Sequence, residues 1–274
     1  MNPIVQCADG RINEPSHFLN FVDRNCVPYS YLELFLFAGG CLMWVVAYAI
    51  IIRDARKYSI MDMAAVAGCS NFAWETVWSW AFKTDMGWFL VWTYRAWFFL
   101  DIYIFYLLLK HGASQVTTPM VKKHFKALCW IGLAGFNILY YFFIKEGHDT
   151  LIGANSAYIA QMFVSVCSLL VLWNTPDLKG LSWNVAWLRS FGTGANTVFM
   201  FMHYPGNHFL HSMAAGSFVI DMYFLWTFLG YRKALRGRSV GAAAVSDWSA
   251  GGKMEREAPA LPPERTQAPN PRRV

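Results

Sequence analysis

Charge is what this 274-residue chain has least of: Asp, Glu, Lys and Arg make up 15% of it, against about a quarter in ordinary soluble domains. With 56% hydrophobic and 18% aromatic residues, the composition excludes an ordinary soluble domain and points to a membrane protein. The formal net charge is +6, yet Lys and Arg fall at the ends of apolar segments and in the carboxyl-terminal tail. They form no aromatic-interleaved basic patch, so no nucleic-acid partner is expected. The six cysteines show no CxxC or Cys/His spacing, and Cys41, Cys69, Cys129 and Cys167 lie in apolar runs where Cys acts as a small hydrophobe. No metal site and no cofactor are expected. Cys7 and Cys26 lie in a polar stretch and can bridge on an oxidising side; two free thiols are the expectation. Residues 1–28 hold no early apolar core behind a basic start, which leaves no cleavable signal peptide to expect. There is no Gly-rich phosphate loop, internal repeat or low-complexity tract before residue 239.

What the chain has in quantity is long apolar runs. Seven approach the roughly 20 residues that a spanning helix needs: 31–53, 60–82, 87–109, 125–145, 151–173, 186–204 and 208–230. The expected fold is all-α, a polytopic seven-helix bundle at 31–235 behind a polar segment at 1–30. From 239 to 274 the composition turns to Ala, Gly, Pro, Glu and Arg, which cannot bury a core and reads as a disordered tail. Basic residues at alternate ends of the runs divide thirteen to four, placing the amino terminus outside and the carboxyl terminus in the cytoplasm.

Against this background the stretch "SNFAWETVWSW", 70–80, is anomalous, because Glu75 sits among Trp74, Trp78 and Trp80. Ionisable groups inside spans are costly and default to function with a partner nearby. Glu75, Arg95, Asp101 and Asp221 are the four that stand out. Glu75 and Arg95 lie at matching depth, roughly 10–12 Å from the outer side at 1.5 Å per residue, and Asp101 and Asp221 lie nearer the middle. Three acids and one base are expected to line one cavity, with Arg95 pairing with Asp101. Asn71, Glu75 and Trp78 share a helix face, as do Tyr94, Trp97 and Asp101, and Ser217 and Asp221. Asn155, Gln161 and Asn196 add neutral polar groups, alternatively simple helix-to-helix ties. Three acids against one base leave an acid protonated at low dielectric. Such a carboxyl donates a proton, and aromatic faces stabilise cations without quenching them, so the pattern suits carbocation chemistry on a greasy substrate. Trp88, Trp92 and Trp187 read as lipid-facing, and His203, His208 and His211 as interfacial.

"NFAWE" at 71–75, "YRAWFFLD" at 94–101 and "SFVIDMYF" at 217–224, in this order on a seven-helix chain, resemble the integral-membrane terpene cyclases of fungal meroterpenoid and indole-diterpene pathways and their bacterial relatives. The resemblance covers residues 30–235. It implies cyclisation of a prenyl chain on an aromatic or similar acceptor, begun by protonating a terminal epoxide or alkene. The product is an isomer, so the enzyme is of isomerase or intramolecular lyase type and serves secondary, isoprenoid metabolism. The family's paired acids map onto Glu75 and Asp221, one donating the proton and the other, with Asn71, fixing its state. Trp74, Trp78, Tyr94, Trp97 and Phe224 would fold the chain; Arg95, Asp101 and Ser217 would support the acids; Asn155, Gln161 and Asn196 would contact substrate. The family needs no metal, and this sequence has no adjacent Asp pair for a DDxxD or DxDD motif. The implied partners are a prenylated small molecule and the lipid bilayer, with the oligomeric state open. The tail's composition fits a GC-rich bacterial genome, which would mean the plasma membrane; a fungal source would mean the endoplasmic reticulum. Competing readings are a carotenoid-type lycopene cyclase and a seven-helix receptor or proton-coupled transporter. The last helix has no Schiff-base Lys, and no broken, repeated halves mark a transporter.

Overall fold

The computed structural model describes residues 5–14 and 16–251. Seven helices follow one another: α1 Tyr31–Tyr58, α2 Ala65–Trp80, α3 Trp88–His111, α4 Pro119–Lys145, α5 Ala154–Trp173, α6 Trp183–His203 and α7 His208–Gly251. A 3-10 turn, Gly112–Gln115, follows α3. Two unanticipated short strands, β1 Val5–Gln6 and β2 Ile12–Asn13, pair antiparallel before the bundle.

The helices start and stop for local reasons. Ser30 and Glu33 form a reciprocal capping box that opens α1, and Ser59 in a left-handed conformation closes it. Pro119 sits in the first turn of α4, where its missing N–H costs nothing, and so starts that helix before the expected residue 125. Gly153, with φ +75°, precedes α5; a Cβ there would lie 2.5 Å from the Trp78 indole. The helix α7 continues to Gly251, past the expected start of the tail at Ser239, because Ala-rich sequence favours helix. Residues 252–274 of that expected tail lie outside the described ones. The chain divides at Arg232 into two compact units, and the bundle is the first of them.

Among the described residues, α1, α3, α4, α5 and the first part of α7 are long and apolar enough to cross a membrane. Their outer surfaces carry large apolar side chains such as Phe35, Ile131, Val219 and Trp226, all exposed, the pattern of a surface facing lipid. The 16-residue α2 and the more polar α6 fall outside that set. Both lean on neighbours instead: α2 packs against α3, α4 and α5, and α6 against α1. The main core is rich in rings, including Phe72, Trp74, Trp78, Tyr94 and Tyr140. A smaller one joins Leu172, Ala186, Phe224 and Phe228.

Residues 5–30 form a cap held to the bundle. Contrary to the expectation of free thiols, Cys7 and Cys26 are disulfide-bonded. The Asn20 amide donates to the carbonyls of Val22 (2.6 Å) and Asp85 (2.7 Å). The amides of Trp88 and Phe89 donate to the carbonyls of His17 and Phe18, and the Tyr29 hydroxyl donates to Asp85 Oδ1 at 3.2 Å. Burial pushes the Asp85 carboxyl up to about 6, against the pull of the Arg24 amide and the Tyr29 hydroxyl. His203 is buried under this cap rather than exposed at an interface: it stacks on Tyr29 at 4.1 Å and lies 3.3 Å from Glu33 and 3.7 Å from Asp23.

Candidate active site

A carboxyl group enters an aromatic chamber where α1, α2, α3, α5 and α6 meet. Glu75 is 1% exposed and reaches the wall of a cavity of about 100 Å³. Its Oε1 accepts from the Tyr48 hydroxyl at 3.1 Å and from the Asn71 amide at 3.0 Å. That amide also donates to Asp101 Oδ2 at 2.9 Å and contacts the Tyr48 hydroxyl at 2.5 Å. Two carboxyl groups thus hang on one amide, one turn apart on α2 and across on α3. Their second oxygens, Glu75 Oε2 and Asp101 Oδ1, are buried without a hydrogen-bond partner. Among the described residues no cation joins them, and a single proton is the donor that such a pair lacks.

The remaining walls are rings, and the polar ends of Trp74 and Tyr94 are tied elsewhere. Trp74 Nε1 donates to Ser156 Oγ at 2.8 Å, and the Tyr94 hydroxyl donates to the Ile152 carbonyl at 2.7 Å. Trp74 and Tyr94 meet edge to face at 5.1 Å, and Tyr94 packs on Trp97 at 6.0 Å. With Trp44 and Phe37 they line the chamber. The α5 end that holds Trp74 is itself set by Asp149, which accepts the amides of Asn155 and Ser156 and the Ser156 hydroxyl. Those are orphan donors of a helix start. Burial pushes the Asp149 carboxyl up to about 6, although these donors pull it down. Opposite Glu75, Asn196 and Thr193 of α6 line the cavity, and Asn196 Oδ1, Thr193 Oγ1 and Trp97 Nε1 have no hydrogen-bond partner.

The expected constellation is therefore assembled in part. Asn71, Trp74, Glu75, Tyr94, Trp97, Gln161 and Asn196 reach the chamber. Asp101 stands behind Glu75. Trp78 is packed away against Gly153, and Asn155 ties the His148 carbonyl to Asn207. Arg95 does not meet Asp101. It donates to the Ser79 carbonyl at 3.2 Å and lies over the rings of Trp80, Trp88 and Trp92, because the Asp101 side faces inward and Arg95, six residues earlier, points elsewhere on the helix. Asp221 is fully buried and sits one layer behind the chamber: Gln161 Nε2 lies 3.4 Å from its Oδ2 and Arg189 3.5 Å from its Oδ1. Arg189 also donates to Ser168 and lies 4.6 Å over the Phe224 ring, while Ser217 is buried one turn away from Asp221.

Two participants were not singled out from sequence. Tyr48 looks like any aromatic residue in an apolar run. Arg189 is 4% exposed, and its place inside the sixth apolar run is the sequence signal that marks it. Among the described residues no three His, Cys, Asp or Glu groups are placed to hold a metal ion.

Taken together, the bundle and chamber define a class: a helical membrane protein that buries carboxyl groups beside an aromatic-walled cavity. The chain belongs to the Pyr4-like transmembrane terpene cyclases, whose family model matches residues 22–234. It is 28% identical over 200 residues to the Pyr4-family terpene cyclase mfmH of Annulohypoxylon moriforme, an overlap of 69% of this chain and 81% of that one. Terpene cyclase dpchB of Colletotrichum higginsianum is 25% identical, covering 64% and 74%. Terpene cyclase ascF of Acremonium egyptiacum is 28% identical, covering 67% and 73%. No solved structure matches the chain. The protein is a membrane terpene cyclase.

Proposed function

We propose that this cyclase closes the prenyl chain of a meroterpenoid-type substrate by protonating its terminal alkene or epoxide, with the Glu75–Asp101 pair as the proton source. The observation that carries this reading is the unpartnered, buried Glu75 Oε2 beside a cavity walled by Trp44, Trp74, Tyr94 and Trp97. Asn71 and Tyr48 donate to the opposite oxygen and keep the proton on the side of the substrate. Once the proton is delivered, the Asn71 amide and the Tyr48 hydroxyl hold the resulting carboxylate, and the rings stabilise successive cations by their quadrupoles. Asp221 acts from behind Gln161: paired with Arg189, it orients the amide that faces the chamber. Asn196 and Thr193 offer hydrogen-bond partners to the polar acceptor group, and loss of a proton to water or attack by a substrate nucleophile ends the cascade.

The same reading has all seven helices spanning the bilayer, with the amino terminus outside and the carboxyl terminus cytoplasmic. The disulfide in the cap supports it, since such bonds persist on an oxidising side. The domain plan is an amino-terminal segment at 1–30 and the catalytic bundle at 31–235, with α7 running on to Gly251 into the carboxyl-terminal segment, in the endoplasmic reticulum of a fungus or the plasma membrane of a bacterium.

The test is mass-spectrometric product analysis with membranes carrying wild type, Glu75→Gln, Asp101→Asn and Asp221→Asn, supplied with prenylated indoles and quinols or their epoxides. A cyclic isomer of unchanged mass is expected from the wild type. Removing a general acid lowers the rate by roughly a hundredfold to ten-thousandfold, so Glu75→Gln should lose nearly all product while still inserting. Full activity in both Glu75→Gln and Asp101→Asn would move the proton source to Asp221.

A further inference from the structure

A second cavity of about 380 Å³ lies between α1 and α3. Its walls include Leu34, Leu42 and Val45 from α1 and Leu90 from α3, together with Leu19 of the cap and Met86. The single hydroxyl on its surface, Thr93, is engaged by the Phe89 carbonyl at 2.9 Å. Leu42 and Phe89 at its rim are 64% and 48% exposed, so the cavity opens sideways, through the flank that faces lipid in a membrane. Phe37 and Cys41 line both this cavity and the aromatic chamber. The two spaces therefore share a wall made of these two side chains.

Size divides their labour. Ligand sites commonly measure about 300–1,000 Å³, and the aromatic chamber, at about 100 Å³, has room for only a short reacting end. We propose that the α1–α3 cavity is the subsite for the remaining hydrocarbon of an isoprenoid chain and the portal through which that chain slides in from the bilayer, past Phe37 and Cys41. The proposal rests on the cyclase reading in one respect, that the substrate carries a prenyl chain. An apolar cavity gains about 25 cal/mol for each Å² of hydrocarbon it buries when that surface comes from water, but a chain already dissolved in lipid gains little. Discrimination must then come from shape, and a portal continuous with the aromatic chamber suits a branched chain that reaches both spaces.

Photolabelling tests this. The full-length protein in phosphatidylcholine nanodiscs is irradiated with a farnesyl analogue bearing an aryl diazirine, and crosslinks are mapped by peptide mass spectrometry. Crosslinks are expected on residues 34–45 and 86–93, suppressed by excess farnesol and not by the same excess of oleic acid. Leu42→Trp, which narrows the opening at an exposed rim position, should cut that labelling roughly tenfold, while the detergent-solubilised variant elutes as wild type does. Equal suppression by oleic acid would make the cavity an ordinary acyl-chain site and overturn the proposal, as would crosslinks confined to other parts of the bundle. Labelling needs no proton transfer, so its outcome is independent of whether Glu75→Gln abolishes cyclisation.

Discussion

Asn71 carries more of the site than its type would suggest. One amide serves Tyr48, Glu75 and Asp101, so Asn71→Leu, of the same branched shape but with methyl groups in place of the amide, leaves two carboxyl groups without their common donor. Each buried polar group so stranded costs about 1–3 kcal/mol, and the expected result is a lower Tm together with loss of product. Tyr48→Phe removes the two hydrogen bonds of its hydroxyl, to Glu75 and from Asn71, each worth about 0.5–1.5 kcal/mol, and should preserve folding while slowing cyclisation; equal damage to Tm and rate would assign Tyr48 to stability alone. Outside the bundle core, Asp85 makes a pH-dependent contribution. Its carboxyl is raised from 3.8 to about 6 by burial, so the folded cap favours the protonated form. That stabilisation is complete below 3.8 and disappears as pH rises through about 6. Measured against Asp85→Asn, wild-type Tm should fall between those two values and stay level above them. The acids were legible in the sequence because charge in an apolar run is conspicuous; Tyr48 was not, because a phenol in such a run is unremarkable until its hydroxyl finds a partner.

At the scale of elements, the seven runs of the sequence became seven helices in the same order, since hydrophobic length alone marks them. Their ends moved because ends depend on local chemistry: Pro119 advanced α4, and α2 shortened to 16 residues. Which helices touch could not be read from hydrophobicity, because every apolar face looks alike to a pattern. The contact of α1 with α6 depends on small residues: a Cβ on Gly40 would lie 2.7 Å from the Gly192 carbonyl and would strike the Asn196 side chain. Gly40→Ala must push the two helices apart. Overpacking costs about 1–3 kcal/mol, and since backbone is what blocks the methyl here, the upper end is expected, with activity lost through the displaced Asn196. A Tm unchanged in Gly40→Ala would mean that the helices cross less closely.

For the molecule as a whole, the cap makes one more prediction. Closing a loop of this size by a disulfide contributes about 2–4 kcal/mol, so Cys7→Ser should leave the helices folded but expose residues 5–30 to limited proteolysis. Undiminished protection would show that the contacts of Asn20 and Asp85 hold the cap unaided. The cap's architecture was invisible in the sequence beyond two cysteines, because it is built from backbone carbonyls that any residues could supply. The bundle also has a consequence for how the chain is made. The two helices that are not long or apolar enough to enter lipid on composition alone, α2 and α6, each carry an ionisable group with a partner on a later helix: Glu75 shares the Asn71 amide with Asp101 of α3, and Arg189 faces Asp221 of α7. On the seven-span reading, neither helix can be released into the bilayer when it first leaves the ribosome. Each must wait for its successor and integrate with it as a hairpin, so the residues that set up the chemistry are also those that time the birth of the protein in its membrane.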